Sequence, residues 1–336
     1  MEHTKSQTAR IIIYIILALF MIYSIFPFGW TILNSIKLPK DATGSIPKIP
    51  GQFEATGQNY SSLWLNVSEA DAAQVGFVLL ILLVLLALLG LFAGRLPWPN
   101  SYTYTGIVLS VVGIVLVLPS MVDTAEFYDY LINSVIVTIG TLAVSLSIGA
   151  LAGYGLARYR YLISVIILVL ALAFRALPSI SFVLPFFYLG QISGLYDTHI
   201  LLIFCLVATN QPFTIWMLRS FFMEIPREIE EAAMMDGAGR LRAFLLVIVP
   251  IVWPGIITTG LFTLLLAYND FLLARILMQT NWTLPVGIAQ FTGGEDPGHV
   301  TLAAAASVSV TLPIICVIIF FQKYLIRGLA SGAVKG

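Results

Sequence analysis

Residues 199–250 read HILLIFCLVATNQPFTIWMLRSFFMEIPREIEEAAMMDGAGRLRAFLLVIVP. The run from His199 to Phe222 is apolar and long enough to cross a membrane as a helix, since a hydrocarbon core of about 30 Å takes roughly 20 helical residues. A loop rich in Glu, Asp and Arg follows at 223–246, and a second apolar run opens at Val247. Span, charged loop, span is the pattern of a chain that threads a membrane and holds one polar element out on a single side.

Working outward, runs of the same kind occur at 11–33, 76–94, 102–122, 130–157, 161–189 and 301–325, which with 199–222 and 247–274 make eight candidate spans. The whole composition agrees. The 336 residues are 59% hydrophobic and only 10% charged, against about 25% charged in soluble domains, and the mean hydropathy is +0.95. An ordinary soluble globular protein is excluded. The first run follows Lys5 and Arg10, but it is too long for a signal peptide and lacks an Ala-x-Ala site, so it reads as an uncleaved span ending near Trp30. The expected fold is all-α and polytopic, with about eight transmembrane helices.

Charge sets the orientation. With the N-terminus inside, the inner side carries Lys5, Arg10, Arg95, Arg158, Arg160, Arg219, Arg227, Arg240, Arg242, Lys323, Arg327 and Lys335. The outer side carries only Lys37, Lys40, Lys48 and Arg275, with Arg175 inside a span, and this imbalance places both termini inside. The weakest pair of spans is 76–94 with 102–122, joined only by Arg95 to Ser101 and readable as a structural hairpin. The net charge of zero removes the basic field that nucleic-acid binding needs. Cys205 and Cys316 lie in apolar runs and read as small buried hydrophobes, not as a disulfide framework. No lysine follows a glycine, so the chain has no phosphate-binding G-x-x-x-x-G-K-[ST] loop, and ATP-driven work needs another subunit's site.

In the loop 223–246, Pro226 suits a first helical position, and Glu228, Glu230 and Glu231 favour the positive end of the helix dipole. Gly237 and Gly239 supply a stop and a turn. Ile225, Ile229, Ala232 and Ala233 fall on one helical face, with alanines small enough for a partner backbone to approach closely. A helix lying on the membrane surface carries Lys and Arg on its polar face, whereas this one carries carboxylates from Glu228 to Asp236. A socket on another protein fits it better than anionic lipid.

These residues resemble a family. Glu231-Ala232-Ala233, three residues, Gly237, nine residues and Val247-x-Val249-Pro250 are similar to the EAA loop of the membrane subunits of bacterial ABC importers. Flanking motifs point to the carbohydrate-importing branch: Arg219-Ser-Phe-Phe, Asp236-Gly237-Ala238, Pro254-Gly255, Asn269-Asp270-Phe271 and Leu284-Pro285-Val286-Gly287. The tail from Gln322 to Gly336 resembles that of maltose-type permeases. The likeness covers about 130–336 and the first span, while the stretch from about 51 to 125 departs from the usual six-span subunit.

The resemblance implies the following organisation: an N-terminal span, 1–33; an external loop and extra hairpin, 34–125; an importer core, 126–330, with six helices counting the first span; and a cytoplasmic tail, 331–336. It implies a short coupling helix seated in a cleft of an ATPase, with Glu231, Ala232, Ala233, Asp236 and Gly237 as the docking element. Gly332, Ala333, Val334, Lys335 and Gly336 are implied as a second ATPase contact. The implied partners are a homologous second permease, an ATPase dimer holding ATP and Mg, an extracytoplasmic sugar-binding protein and membrane lipid. The chain itself then binds no cofactor and is no enzyme. Its location is the plasma membrane of a prokaryote, the inner one where there are two.

Arg175 lies within a span, where a charge costs at least ~2.5–3.5 kcal/mol and so faces protein or water, either in an interhelical salt bridge or on a sugar path. Asp270 is a candidate ion-pair partner. Sugars are held by polar groups and flat aromatic faces, so Asn133, Asn210, Gln211, Trp216, Tyr268 and Asn269 are pathway candidates, each also readable as an interhelical bond or an interface anchor. Pro178, Pro185, Pro250 and Pro254 permit kinks beside a pathway. His3, His199 and His299 are too dispersed for a metal site. Two other classes compete. A gradient-driven secondary transporter needs midplane carboxylates in both halves of an internal repeat, and only Asp270 qualifies. A membrane enzyme needs clustered acid, base or metal-ligating groups, and the acidic loop lacks His and Cys.

Overall fold

The computed structural model describes residues 7–43, 48–66, 123–159, 162–291 and 297–333, with the isolated positions 46, 113 and 119. The candidate spans 76–94 and 102–122 lie outside these described stretches. In chain order the helices are α1 (Gln7–Ser35), α2 (Pro39–Ala42), α3 (Gln58–Trp64), α4 (Glu126–Arg158), α5 (Leu162–Arg175), α6 (Ile180–Ser193) and α7 (His199–Glu224). They continue with α8 (Arg227–Met235), α9 (Arg240–Ala243), a π turn over Phe244–Ile248, α10 (Val249–Tyr268), α11 (Leu272–Leu277), α12 (Leu284–Gln290) and α13 (Pro297–Ala333). Among the described residues the only β pairing is an isolated antiparallel bridge, Leu65 with Thr124.

Among the described residues, five helical stretches are long and apolar enough to span a membrane: Ile11–Ser35, Glu126–Arg158, His199–Glu224, Arg240–Tyr268 and Gly298–Gln322. The candidate span at 161–189 is not one helix. It breaks into α5 and α6 around Pro178, which has no N–H to donate and pushes Leu177 out of helical geometry. Pro250 follows the π turn, where Val249 N–H reaches back five residues to Phe244 O and the helix resets before a residue that cannot donate.

The chain divides into two compact units. The first comprises residues 1–128 and 288–310. Here α1 exposes an apolar face all round, as a helix surrounded by hydrocarbon does. Lys37, counted among the outer charges, is 1% exposed. Its ammonium donates to Asn34 Oδ1 at 2.9 Å and sits 4.6 Å over the Trp30 ring and 5.2 Å from that of Phe53. Burial pulls its pKa below the ordinary lysine value, and Asp41 only partly opposes this. The bridge at Leu65 closes with Asn66 N–H to Asp123 O at 2.9 Å and Ala125 N–H to Trp64 O at 3.0 Å.

The second unit comprises residues 129–287 and 311–336. In it α10 packs on α7, α5 on α7, and α11 on α6 and α7. Backbones approach closely where α4 presents small residues: a Cβ on Gly149 would sit 2.6 Å from Thr214 Cγ2, and one on Gly153 would sit 3.0 Å from the Arg219 backbone nitrogen. Polar side chains bind the same helices together. Ser145 Oγ lies 3.1 Å from both Gln211 Oε1 and Thr214 Oγ1, and Thr214 Oγ1 lies 3.3 Å from Thr263 Oγ1. Among the described residues of this unit, apolar clusters form around Leu202, Cys205, Leu277 and Met278 and around Leu218, Phe222, Phe244 and Ile248. Cys205 is buried as expected, whereas Cys316 is exposed on α13.

Candidate coupling loop and membrane cavity

The loop 223–246 is built around α8. Its helix begins at Arg227, one residue later than the expected start, because Pro226 has ψ of 142° and serves as the N-cap. It ends as the two glycines foretold. Gly237 takes φ +88°, Ala238 N–H bonds to Ala233 O and Gly237 N–H to Met234 O, both at 3.1 Å, and this pair of bonds is the Schellman motif. Asp236 is the C-cap and Gly239 the N-cap of α9.

The face that α8 turns toward its own subunit is a different one from the apolar face read as a docking surface. Ile225 is buried, but Ile229 and Ala232 are exposed, and the buried member of the helix is Glu230 at 8%. Glu230 Oε2 accepts from Arg158 Nε at 2.7 Å, and its Oε1 accepts from the Tyr154 hydroxyl. Arg158 also donates through Nη1 to the Ile225 and Phe222 carbonyls at 3.2 and 3.4 Å. The end of α4 thus holds the helix and the chain leading into it. The physical reason is that a buried carboxylate is tolerable only when paired and hydrogen-bonded, and Arg158 and Tyr154 meet both needs. Beneath the pair, Tyr154 packs against Phe244 at 4.7 Å and Phe222 at 5.8 Å. Glu231, Ala232, Met235 and Asp236 are exposed, and Ala233 is half-buried.

The second site is a cavity of about 150 Å³ lined by residues that include Thr141, Arg175, Leu177, Ser179, Phe182, Asn210 and Asp270. It lies beside the break between α5 and α6. Asn210 is 7% exposed and neither its Oδ1 nor its Nδ2 has a hydrogen-bond partner. Thr141 Oγ1 and Arg175 Nη1 are likewise unpartnered. A buried polar group left unpaired costs about 1–3 kcal/mol, so this cluster is built for something polar. Among the described residues no ion pair joins Arg175 to Asp270. The Arg175 guanidinium stacks 4.5 Å over Phe213, and Asp270 Oδ2 accepts from Ala274 N–H at 3.1 Å, holding the start of α11.

Other pathway candidates are placed elsewhere. Tyr268 is buried and Asn269 bonds its own helix at Leu265 O, and neither lines the cavity. Asn133 donates to Trp282 O at 3.0 Å and lies 2.8 Å from His199 Nε2, while Gln211 belongs to the network joining α4 and α7. Trp216 is exposed. Gly332 and Ala333 continue α13, and 334–336 lie outside the described residues.

Residues 145–331 match the protein family described as binding-protein-dependent transport system inner membrane component. The chain belongs to this family. It is therefore a transporter permease subunit, a multi-pass protein of the plasma membrane. The permease is 40% identical over 216 residues, 62% of its length and 78% of the relative's, to the trehalose transport system permease protein of Mycobacterium tuberculosis. It is 36% identical over 217 residues, 63% of its length and 77% of the relative's, to the trehalose/maltose transport system permease protein of Thermococcus litoralis. Its fold matches a chain in the crystal structure of a bacterial ABC transporter involved in the import of the acidic polysaccharide alginate. That match has a TM-score of 0.65 at 19% identity and covers 95% of the permease and 98% of that chain. The resemblance read from the loop and its flanks is thereby borne out, and the gradient-driven alternative finds no support in the family.

Two features of the permease escaped sequence reasoning. The first is the Arg158–Tyr154–Glu230 anchor, since nothing in four neighbouring carboxylates says which one turns inward. The second is Asp197, at φ 61° between α6 and α7. Its carboxylate accepts from Gln279 N–H at 2.7 Å, Thr280 N–H at 3.1 Å and Thr280 Oγ1 at 2.6 Å, and so ties together two loops assigned to the outer side. Burial alone would raise its pKa, but the Thr280 hydroxyl and the amides of 279–281 outweigh it and hold the carboxyl below its usual value.

Proposed function

We propose that this permease forms half of the translocation pathway of an ATP-driven carbohydrate importer and takes its drive from a separate ATPase through α8. The observation that carries this reading is a short helix fixed to its own subunit by a buried ion pair and presenting Glu231, Ala232, Met235 and Asp236 outward. A force-transmitting element needs both properties: rigid attachment behind and free surface in front. The names of the relatives, which include trehalose, trehalose/maltose and melibiose/raffinose/stachyose permeases, supply the substrate class.

In this mechanism ATP and Mg bind in the ATPase dimer and not in this chain. Closure of that dimer draws α8 inward, and the anchor at Glu230 passes the displacement directly to α4. Nucleotide state shifts the membrane helices only to the extent that the ATPase grips the loop differently in its open and closed forms. The exposed surface of α8 is where that difference is made, with the tail 332–336 as a second point of attachment. An extracytoplasmic binding protein delivers the sugar, and a second, homologous permease completes the path.

The test is reconstitution of the assembled complex in proteoliposomes with its binding protein. Sugar uptake that requires internal ATP supports the reading. Uptake driven by an ion gradient without ATP overturns it. A thermal-shift screen of the binding protein against sugars identifies the cargo.

A further inference from the structure

We propose that the cavity at Thr141, Arg175, Asn210 and Asp270 is a subsite, contributed by this chain itself, for one ring of a neutral polyhydroxylated ligand. This rests on the reading of the permease as a sugar importer and goes beyond it by assigning substrate contact to this subunit. Three independent observations converge.

The first is unmet hydrogen-bonding capacity. Asn210 is more than nine-tenths buried with both amide atoms unpartnered, Thr141 is fully buried with its hydroxyl unpartnered, and Arg175 Nη1 is unpartnered beside them. All three line one cavity. The second is the backbone. The span carrying Arg175 is interrupted, and Leu177 and Ser179 from the interruption contribute to the cavity wall. Non-helical backbone at membrane depth is tolerated where it is buried in protein or lines a polar cavity.

The third is the chemistry of the set. A sugar hydroxyl both donates and accepts, and the wall offers a pure donor in Arg175, a carboxyl in Asp270 and groups of both kinds in Asn210 and Thr141. Phe182 adds a flat apolar surface of the sort that ring faces pack on. Asp270 is held in place by Ala274 N–H, and Arg175 by the Phe213 ring. The wall thus sets a carboxyl beside a cationic donor without joining them, which suits a neutral polyol over an anion. At about 150 Å³ the cavity falls short of the ~300 Å³ at which ligand pockets begin, so it accommodates one ring, with the remainder of an oligosaccharide held outside it.

The experiment uses the full complex in lipid nanodiscs, without binding protein or nucleotide, and saturation-transfer NMR with maltose, trehalose, D-glucose and D-glucuronate as probes. The expected result is binding of a neutral sugar that weakens at least tenfold in Asn210→Leu and in Thr141→Val. Neither variant should melt below wild type, because the polar atoms removed have no protein partners. Unchanged affinity in the variants, binding of glucuronate alone, or no neutral-sugar binding at all, which leaves a cavity filled by water only, each overturns the subsite. A lowered melting temperature in both variants overturns it too, by giving these groups a structural role. Uptake in proteoliposomes separates the two levels: neutral-sugar uptake unaffected by Asn210→Leu removes the subsite and leaves the importer, whereas no ATP-dependent sugar uptake by the wild type removes the importer reading.

Discussion

Glu230 and Glu231 are adjacent and chemically identical, yet one is buried against Arg158 and Tyr154 and the other faces outward, because successive residues of a helix point about a quarter-turn apart. Glu230→Ala leaves the Arg158 guanidinium buried and unpaired, a loss of about 3–5 kcal/mol. Melting of the purified complex and its sugar-stimulated ATPase activity should both fall, and the double variant Arg158→Met/Glu230→Met should recover part of the melting temperature lost in either single variant. Gly237 poses a different constraint. A Cβ there would meet nothing within 4 Å, so Gly237→Asp acts through the left-handed backbone, a strain of roughly 1–2 kcal/mol, and through a new charge beside α8. The complex should insert and assemble but lose sugar stimulation of ATP hydrolysis; stimulation near wild type would remove the coupling role. Asp197 gives a pH signature. Its folded pKa lies below the unfolded value, so its contribution is present above about pH 3.9 and is lost as pH falls through the lower folded value. Acid unfolding of Asp197→Asn should lack that component, and Asp197→Ala should melt lower than Asp197→Asn at neutral pH because it also loses the acceptors for 279–281.

At the scale of elements, the packing of α4 on α7 depends on what is missing from the side chains. Gly153 lets the Arg219 backbone come close enough that even a methyl group is crowded, and a backbone atom cannot swing aside as a side chain can. Gly153→Leu should therefore prevent assembly, read as loss of the intact complex on gel filtration, while the same change at Gly155, where nothing lies within 4 Å, should be tolerated. The break between α5 and α6 is the other decisive element. Pro178 marks it plainly in the sequence, but a proline inside an apolar run is compatible with a kink or with a full interruption. The choice is made by the surroundings: here the interrupted backbone finds a polar cavity to line.

For the whole molecule, the departure from the usual subunit enters and leaves at one place. Asn66 and Asp123 are joined by a backbone hydrogen bond of 2.9 Å, and Leu65 pairs with Thr124. Replacing 67–122 by a short Gly/Ser link should thus keep the ends where they are, and the shortened permease should assemble and transport at close to the wild-type rate. Loss of assembly with the partner permease would instead make the segment part of the subunit interface.

Class and family were legible from the chain alone, because hydrocarbon imposes a length and an apolarity on every span and because the EAA motif with its flanks is locally encoded. The stop of α8 at Gly237 was legible for the same reason, since a left-handed C-cap is a property of a few consecutive residues. Only the tertiary structure decided which carboxylate of α8 turns inward, that Arg175 and Asp270 line one cavity without pairing, and that Asn133 and Gln211 join helices while Asn210 is left with its amide unpartnered. Each of these depends on residues dozens of positions apart meeting across helix faces, and the energy of a buried polar group is set by what it meets, which no local stretch of sequence contains.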